Sequence, residues 1–208
     1  MDDQKVIKIL QNDLGFSNKT IDKIREFNGY LLEYNTKYNL ISKSTEKSLW
    51  LRHILDSAQI TRFIDINKVN KIADFGSGAG FPGLIIALFA ENRGFHVKLY
   101  EKSPVKKHFL KNISNKLGLM NIEIFSDVYE REIFADIIVC RAFKKLPEII
   151  KISREIVKKP HKLIILKGKD AQSEINNISL GSNYSYKLES SITDSDSKII
   201  IIEAKQNE

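Results

Sequence analysis

The sequence predicts an α/β fold: a Rossmann-like parallel sheet with a small N-terminal helical cap. Three observations predict it. From Lys71 onward short apolar segments alternate with helical patterns, a glycine-rich turn follows the first such segment, and residues 1 to about 65 read as helix. Strand–helix alternation implies parallel strands joined by right-handed crossovers.

In the cap, Ile21, Ile24, Phe27, Leu31, Tyr34 and Tyr38 recur at three- and four-residue steps and form one apolar stripe. Ser17 and Asn18 stand where an N-cap belongs. A second helix begins near Ser44 or Thr45, with Leu49, His53, Ile54, Ser57 and Ile60 on a shared face. Residues 1–65 are thus expected to form the cap and 66–208 the sheet domain, as one structural unit. In the latter, 72–75, 96–100, 122–125, 136–140 and 163–166 read as strands. Helices are expected at 81–92, 104–117, 146–157 and 171–178. Strands at 184–188 and 198–203, around a Ser/Asp-rich turn, close the sheet as an antiparallel hairpin at one edge.

A chain of 208 residues has room for one such core and a small appendage. Its 42% hydrophobic and 28% charged residues are those of an ordinary globular protein. The longest apolar run, 84–90, falls far short of the ~20 residues a membrane span needs. Met1-Asp2-Asp3-Gln4 carries acids and is not expected to act as the start of a signal peptide. The single Cys140 excludes an internal disulfide and fits a reducing cytoplasm. A net charge of +7 permits a polyanionic partner without establishing one. Lysine supplies 26 of the 33 basic residues beside abundant Ile and Asn, a mix that AT-rich coding produces whatever the function.

The functional signal lies in Asp74-Phe75-Gly76-Ser77-Gly78-Ala79-Gly80-Phe81-Pro82-Gly83. Glycines at a strand end allow a sharp turn and let a ligand approach the backbone; Pro82 suits the first turn of a helix. Glu101, at the end of the second strand, can accept hydrogen bonds from both hydroxyls of a ribose. Read from Gly78, the loop satisfies the dinucleotide pattern G-x-G-x-x-G; read from Gly76, it gives G-x-G-x-G, the loop under the amino-acid part of S-adenosylmethionine. The apolar strand ends at Phe75, which favours the second register. The tail also lacks the second mononucleotide-binding half that a dehydrogenase needs.

Tyr38-Asn39-Leu40, Arg52-His53-Ile54-Leu55-Asp56-Ser57, the glycine loop, Arg141-Ala142-Phe143 and Leu166-Lys167-Gly168 together resemble the bacterial small-subunit ribosomal RNA methyltransferase G family, formerly called glucose-inhibited division protein B. Order and spacing agree from about residue 20 to 205. The resemblance implies a class I S-adenosylmethionine methyltransferase sheet of seven strands under a helical cap. It implies transfer of a methyl group to N7 of a guanine in 16S ribosomal RNA, near the decoding region. The partner is then 16S ribosomal RNA or the small-subunit particle, in the cytoplasm, with no metal and with a monomer as the working expectation. By similarity Gly76, Gly78 and Phe81 line the cofactor pocket, Glu101 holds the ribose, Val128 and Tyr129 flank the adenine, and Arg141 closes the pocket. The family often has Pro where Ala79 stands, Asp for Glu101, and Arg and Glu for Asp127 and Tyr129. The last departures leave open what holds the adenine, since Asp127 can itself accept from the exocyclic amine.

Guanine N7 carries no proton, so its methylation needs alignment and no general base. Arg141 and His53 are therefore positioning candidates. Exocyclic-amine chemistry needs an acceptor turn with Pro-Pro, which the chain lacks. Cys140, ending an apolar strand, reads as a packing residue rather than a nucleophile. Arg141, at a parallel strand's C-terminal end, faces the crevice and can hold a carboxylate or a phosphate. His53 and Asp56 share a helix face at a spacing that allows them to hydrogen-bond as a pair. Lys167 and the run Lys102, Lys106, Lys107, Lys111 are either solvated surface or phosphate contacts. Gly76→Val is expected to block the cofactor and leave the fold largely intact. Two other readings stay open: a methyltransferase of similar fold acting on a small molecule or protein, and a dinucleotide-dependent oxidoreductase.

Overall fold

Apolar residues on both faces of the central strands dictate a three-layer arrangement, because a parallel sheet must be covered on each side. The computed structural model describes residues 1–91 and 93–204. Five strands run parallel: β1 (Lys71–Phe75), β2 (His96–Tyr100), β3 (Ile122–Phe125), β4 (Ile137–Arg141) and β5 (Lys162–Lys167). The antiparallel hairpin β6 (Tyr184–Ser190) and β7 (Lys198–Ala204) completes the order β3-β2-β1-β4-β5-β7-β6. The order reverses between β1 and β4. Ligands of open α/β sheets bind at such a point, outside the strands' carboxyl ends.

Alternation along the strands decides what each face packs against. Ile72, Val97, Leu99, Ile137, Val139 and Ile164 face the cap and the helices α5 (Gly83–Ala90) and α6 (Pro104–Lys116). Ala73, Phe75, Ile138, Cys140, Leu163 and Ile165 face the opposite layer of α7 (Leu146–Ile156) and α8 (Ala171–Asn176). The cap shares the first core: Val6, Leu10, Ile21, Ile24, Phe27 and Leu31 are buried in it. The helix α1 (Asp3–Lys8), capped by the Asp2 carboxylate on the Lys5 N–H, contributes Val6 and Ile7, whose short pattern carries no clear periodic signal.

In the cap, Ser17 caps α2 (Asn18–Asn35) by accepting from the Thr20 N–H at 3.1 Å. The apolar stripe holds through Tyr34, which packs half-buried against the first core. Tyr38 lies beyond the helix end and is 47% exposed, a correction to the sequence reading. The next helical stretch starts one residue early, with α3 (Lys43–Glu46). It continues through a wide turn at Trp50–Leu55, α4 (Asp56–Ala58) and a tight turn at Gln59–Phe63. Helix α5 begins at Gly83, with Pro82 as its N-cap residue rather than in its first turn. Its expected end, Asn92, lies outside the described residues.

Candidate active site

The strand β1 delivers the glycine loop to the switch point, where three backbone choices shape a cleft. Gly76 and Gly78 take left-handed conformations, φ 75° and 58°, that side chains resist. Both Gly76 and Ser77 donate their N–H to the Tyr100 carbonyl, at 2.9 and 3.0 Å, which folds the loop back over β2. Glu101 then braces it: Oε2 accepts the Gly78 N–H at 2.8 Å and Oε1 accepts the Ser103 N–H at 2.7 Å. A carboxylate has about four acceptor positions, so each oxygen keeps capacity for a ligand hydroxyl.

Asp74 anchors the loop from below. Its Oδ2 accepts the Gly83 N–H at 3.0 Å, satisfying a donor at the start of α5, while Oδ1 has no partner among the described residues. Burial pushes its carboxyl up to about 7, against the opposing pull of Ser77 and Gly83. A raised folded-state value makes the sign definite. Stability is full below the ordinary carboxylate value and falls as pH rises toward 7, by at most about 1.4 kcal/mol per pH unit. Asp74→Asn should therefore lose least, or gain most, against wild type at the high-pH end. Urea titrations at pH 4 to 8 check this, and a wild-type-minus-mutant difference that is flat with pH contradicts it.

The cleft over this loop has a volume of about 370 Å³. Gly76, Gly78, Phe81, Glu101, Val128 and Arg141 all line it, and His53 does too. Tyr129 does not. Its side chain is 53% exposed outside the cleft, and its N–H donates to Asp127 Oδ1 at 3.1 Å. Asp127 itself lines the wall and pairs with Lys102 at 2.7 Å. Burial opposes ionisation there, yet Lys102 and the N–H groups of Tyr129 and Val128 hold its carboxyl below the usual range.

Gly76 carries a different constraint from the one anticipated. Ala142, at φ 51°, turns the chain after β4 so that Phe143 lies over Gly76. A Cβ on Gly76 would stand 2.6 Å from Phe143 Cδ2. Gly76→Val thus strains the loop and strikes Phe143, so it does not isolate ligand binding. Gly78 does better, since a Cβ there meets nothing closer than the Gly76 carbonyl at 3.9 Å.

Arg141 and His53 form the far wall. Arg141 Nη1 donates to the Arg52 carbonyl (3.0 Å) and to Asp56 Oδ2 (3.1 Å), and Nη2 to His53 Nδ1 (2.8 Å). A guanidinium only donates, so His53 Nδ1 is the acceptor and carries no proton. The other ring nitrogen, Nε2, then donates to Thr45 Oγ1 at 2.8 Å. Burial, then Arg141 and Arg52, push the histidine down to about 4, so the ring is neutral throughout the physiological range. The expected His53–Asp56 pair does not form, because Arg141 stands between them and takes both. Asp56 Oδ1 accepts instead from Gln59 Nε2 and Thr193 Oγ1. Phe81 packs beneath this bridge, its ring 4.9 Å from His53 and 5.1 Å from the Arg141 guanidinium.

The remaining candidates separate. Cys140 is buried, and burial pushes its thiol up, away from the thiolate a nucleophile needs. Lys167 is held by Glu174 at 2.9 Å, neither freely solvated nor unpaired. Of the lysine run, Lys107 bonds Ser126, Lys102 bonds Asp127, Lys106 lines the cleft and Lys111 is exposed. Among the described residues no group of three His, Cys, Asp or Glu side chains is placed to hold a metal ion. Among the same described residues no helix is long and apolar enough to cross a membrane. The sequence reading missed Gln59, wholly buried on the cap's inner face, and the 191–194 turn it holds. A polar residue among the apolar positions 58–60 was the available signal.

A family model described as rRNA small subunit methyltransferase G matches residues 20–201. The chain belongs to this family. Curated relatives named Ribosomal RNA small subunit methyltransferase G agree along nearly its whole length. That of Orientia tsutsugamushi is 34% identical over 96% of this chain and 98% of its own. That of Pelagibacter ubique is 35% identical over 88% of each, and that of Rickettsia felis 36% identical over 86% and 91%. Among solved structures, a ribosomal protein L11 methylase from Lactobacillus delbrueckii subsp. bulgaricus superposes with TM-score 0.58 at 15% identity, covering 73% of this chain and 77% of that chain. A mutant of MtNAS in complex with S-adenosylmethionine gives TM-score 0.59 at 11% identity, covering 99% and 85%. At such identities these likenesses concern the fold, a class I methyltransferase sheet with N-terminal helices.

Proposed function

We propose that the chain methylates N7 of a guanine in 16S ribosomal RNA, with S-adenosylmethionine as methyl donor, as a cytoplasmic enzyme. The observation that carries this reading is a glycine-floored cleft at the β1/β4 switch point, braced by Glu101, in a chain of this family. An oxidoreductase is disfavoured because the sheet's second half ends in the antiparallel pair β7–β6 rather than in a second nucleotide-binding unit.

The residues present fit this cofactor. Gly78 gives its amino-acid part access to backbone, Gly76 lines the cleft beside it under Phe143, and Glu101 has lone pairs for the ribose hydroxyls. Val128 would pack on the adenine and Asp127 would accept from its exocyclic amine, since both line the cleft and the exposed Tyr129 side chain does not. Phe81 and Arg141 close the end nearest the cap. S-adenosylmethionine supplies, when bound, a sulfonium-activated methyl carbon onto which the N7 lone pair closes while the carbon–sulfur electrons return to sulfur. No proton moves. The side chains therefore act by alignment and by excluding water.

Two outcomes follow. Glu101→Ala should weaken S-adenosylmethionine by about 1–3 kcal/mol, the range for hydrogen bonds to an ionised group. Calorimetry with the cofactor and its deoxyribose analogues checks it: the wild type should discriminate and the mutant much less. Single-turnover methylation with enzyme and cofactor saturating should show no His53-dependent titration from pH 6 to 9, because His53 is neutral there and N7 has no proton. Any modest change near pH 7 belongs to Asp74 beneath the loop. A rate rising tenfold per pH unit through neutrality, and losing that rise in His53→Ala, would reveal a base and point away from N7. The reading as a whole is tested by incubating purified protein with S-adenosylmethionine and unmethylated small subunits or naked 16S RNA. Steeply salt-dependent RNA binding separates it from methylation of a small molecule or protein.

A further inference from the structure

Among the described residues that line the cofactor cleft, Leu40, Ile41 and His53 are the ones the cap supplies. Behind them, outside the cleft, stands Asn35, the last residue of α2 and 3% exposed. Its Oδ1 accepts the N–H groups of Leu40 at 2.7 Å and Ile41 at 2.9 Å, and its Nδ2 donates to Glu46 Oε1 at 2.6 Å. Glu46 ends the short helix α3, in which the adjacent Thr45 accepts from His53 Nε2 at 2.8 Å. One buried amide is thus tied directly to two of the three cap residues and to the third through α3. We propose that Asn35 is a positioning residue for cofactor binding, a clamp that sets residues 40–46 as the cap-side wall against S-adenosylmethionine. The inference rests on the reading that this cleft holds S-adenosylmethionine.

The α2 helix does not need this side chain to end. A helix C-terminus leaves carbonyls unpaired, and those of Glu33 and Tyr34 are already taken by the N–H groups of Thr36, Lys37 and Tyr38. Asn35 instead serves donors five and six residues further on, N–H groups that the turn would otherwise leave without a partner. The two ends of its amide face unlike groups, N–H donors at oxygen and a carboxylate at nitrogen, so only one orientation satisfies both. Burial makes each of those bonds costly to break.

The clamp also has a fixed base. Phe27, earlier on α2, packs its ring 5.5 Å from Phe81 at the glycine loop and 6.3 Å from Phe109 on α6. The helix is therefore set against the same loop that floors the cleft. Asn35 carries that placement across to Leu40 and Ile41 on the cleft's other side.

Asn35→Asp keeps the size of the side chain and the acceptor for both N–H groups, but sets a second carboxylate against Glu46. Calorimetry should show S-adenosylmethionine affinity falling about 10-fold or more. Adding Glu46→Gln should bring it back to within about threefold of wild type, because the new amide donates where Asn35 did. Glu46→Gln alone should also stay within about threefold, its carbonyl accepting from Asn35 Nδ2. Ser17→Ala removes the N-cap at the other end of α2, so it should lower stability yet hold cofactor affinity within about twofold. That comparison separates positioning from general loosening of the cap. In wild-type protein, saturating cofactor should slow hydrogen exchange at the Leu40 and Ile41 amides by about 10-fold or more, a result independent of how any variant folds. Four outcomes would each overturn the clamp: Asn35→Asp binding as tightly as wild type, a loss that Glu46→Gln does not restore, an equal loss in Ser17→Ala, or exchange at Leu40 and Ile41 unchanged by the cofactor. Wild-type protein that binds no S-adenosylmethionine would instead remove the reading beneath it, a distinguishable result.

Discussion

Arg141→Ala should lose about 100-fold or more in kcat/KM for 16S RNA and about 3 kcal/mol of stability. The guanidinium, with a side chain 18% exposed, is held by three cap groups: the Arg52 carbonyl, His53 and Asp56. Removing it leaves the Asp56 carboxylate, 17% exposed, without its cation, and breaking one side of a largely buried pair costs about 3–5 kcal/mol. The low end applies because Gln59 and Thr193 still bond Asp56. Activity falls further than stability alone explains, since the far wall of the cleft loses its brace and a displacement near 1 Å costs roughly 100-fold. Arg141→Lys should not rescue, because one ammonium cannot match a planar fork reaching three acceptors. Two measurements check this: chemical denaturation, and NMR titration of His53, which should shift upward once the guanidinium is gone. A folded Arg141→Ala with wild-type turnover contradicts the role.

Gly78→Leu should weaken S-adenosylmethionine by about 100-fold or more while the protein stays folded. The position combines a left-handed φ of 58° with open cleft directly above it. Forcing a side chain into that backbone costs about 1–2 kcal/mol, and the leucine then fills the space the cofactor needs. Gly118→Ala separates the two effects. That glycine has φ 62° and open space around it but lies in the turn after α6, away from the cleft. It should lose the same 1–2 kcal/mol of stability and keep full cofactor affinity, as calorimetry will show. Equal cofactor affinities in both variants would mean that Gly78 does not floor the pocket.

What the sequence revealed and what it hid follow one physical division. Periodicity reports which face of an element is apolar, so the strands β2 and β3 emerge with their observed ends and the closing hairpin with its antiparallel sense. The glycine loop was legible because turn geometry and ligand access restrict residue type locally. Polar convergence over long separations was not. Asp56 meets Thr193 across 137 residues and Arg141 meets His53 across 88, and no local pattern specifies such meetings. The same ignorance produced the His53–Asp56 pair, correct in spacing and overturned by a third residue from β4. It also produced the expectation for Gly76, where Phe143 arrives from beyond Ala142. The helix ends in the cap were missed where the backbone leaves α-helical pitch, at Trp50–Leu55 and Gln59–Phe63.

The central claim is the atom and the molecule modified, and one measurement reaches both. Ribosomal RNA is taken from cells with and without this gene, treated with borohydride and aniline to cleave at N7-methylguanine, and mapped by primer extension. The account predicts one cleavage site in 16S RNA that disappears with the gene and returns with the wild-type copy but not with Gly78→Leu. Identical N7-methylguanine maps in the two strains, or a lost modification at another atom or in another RNA, would contradict it.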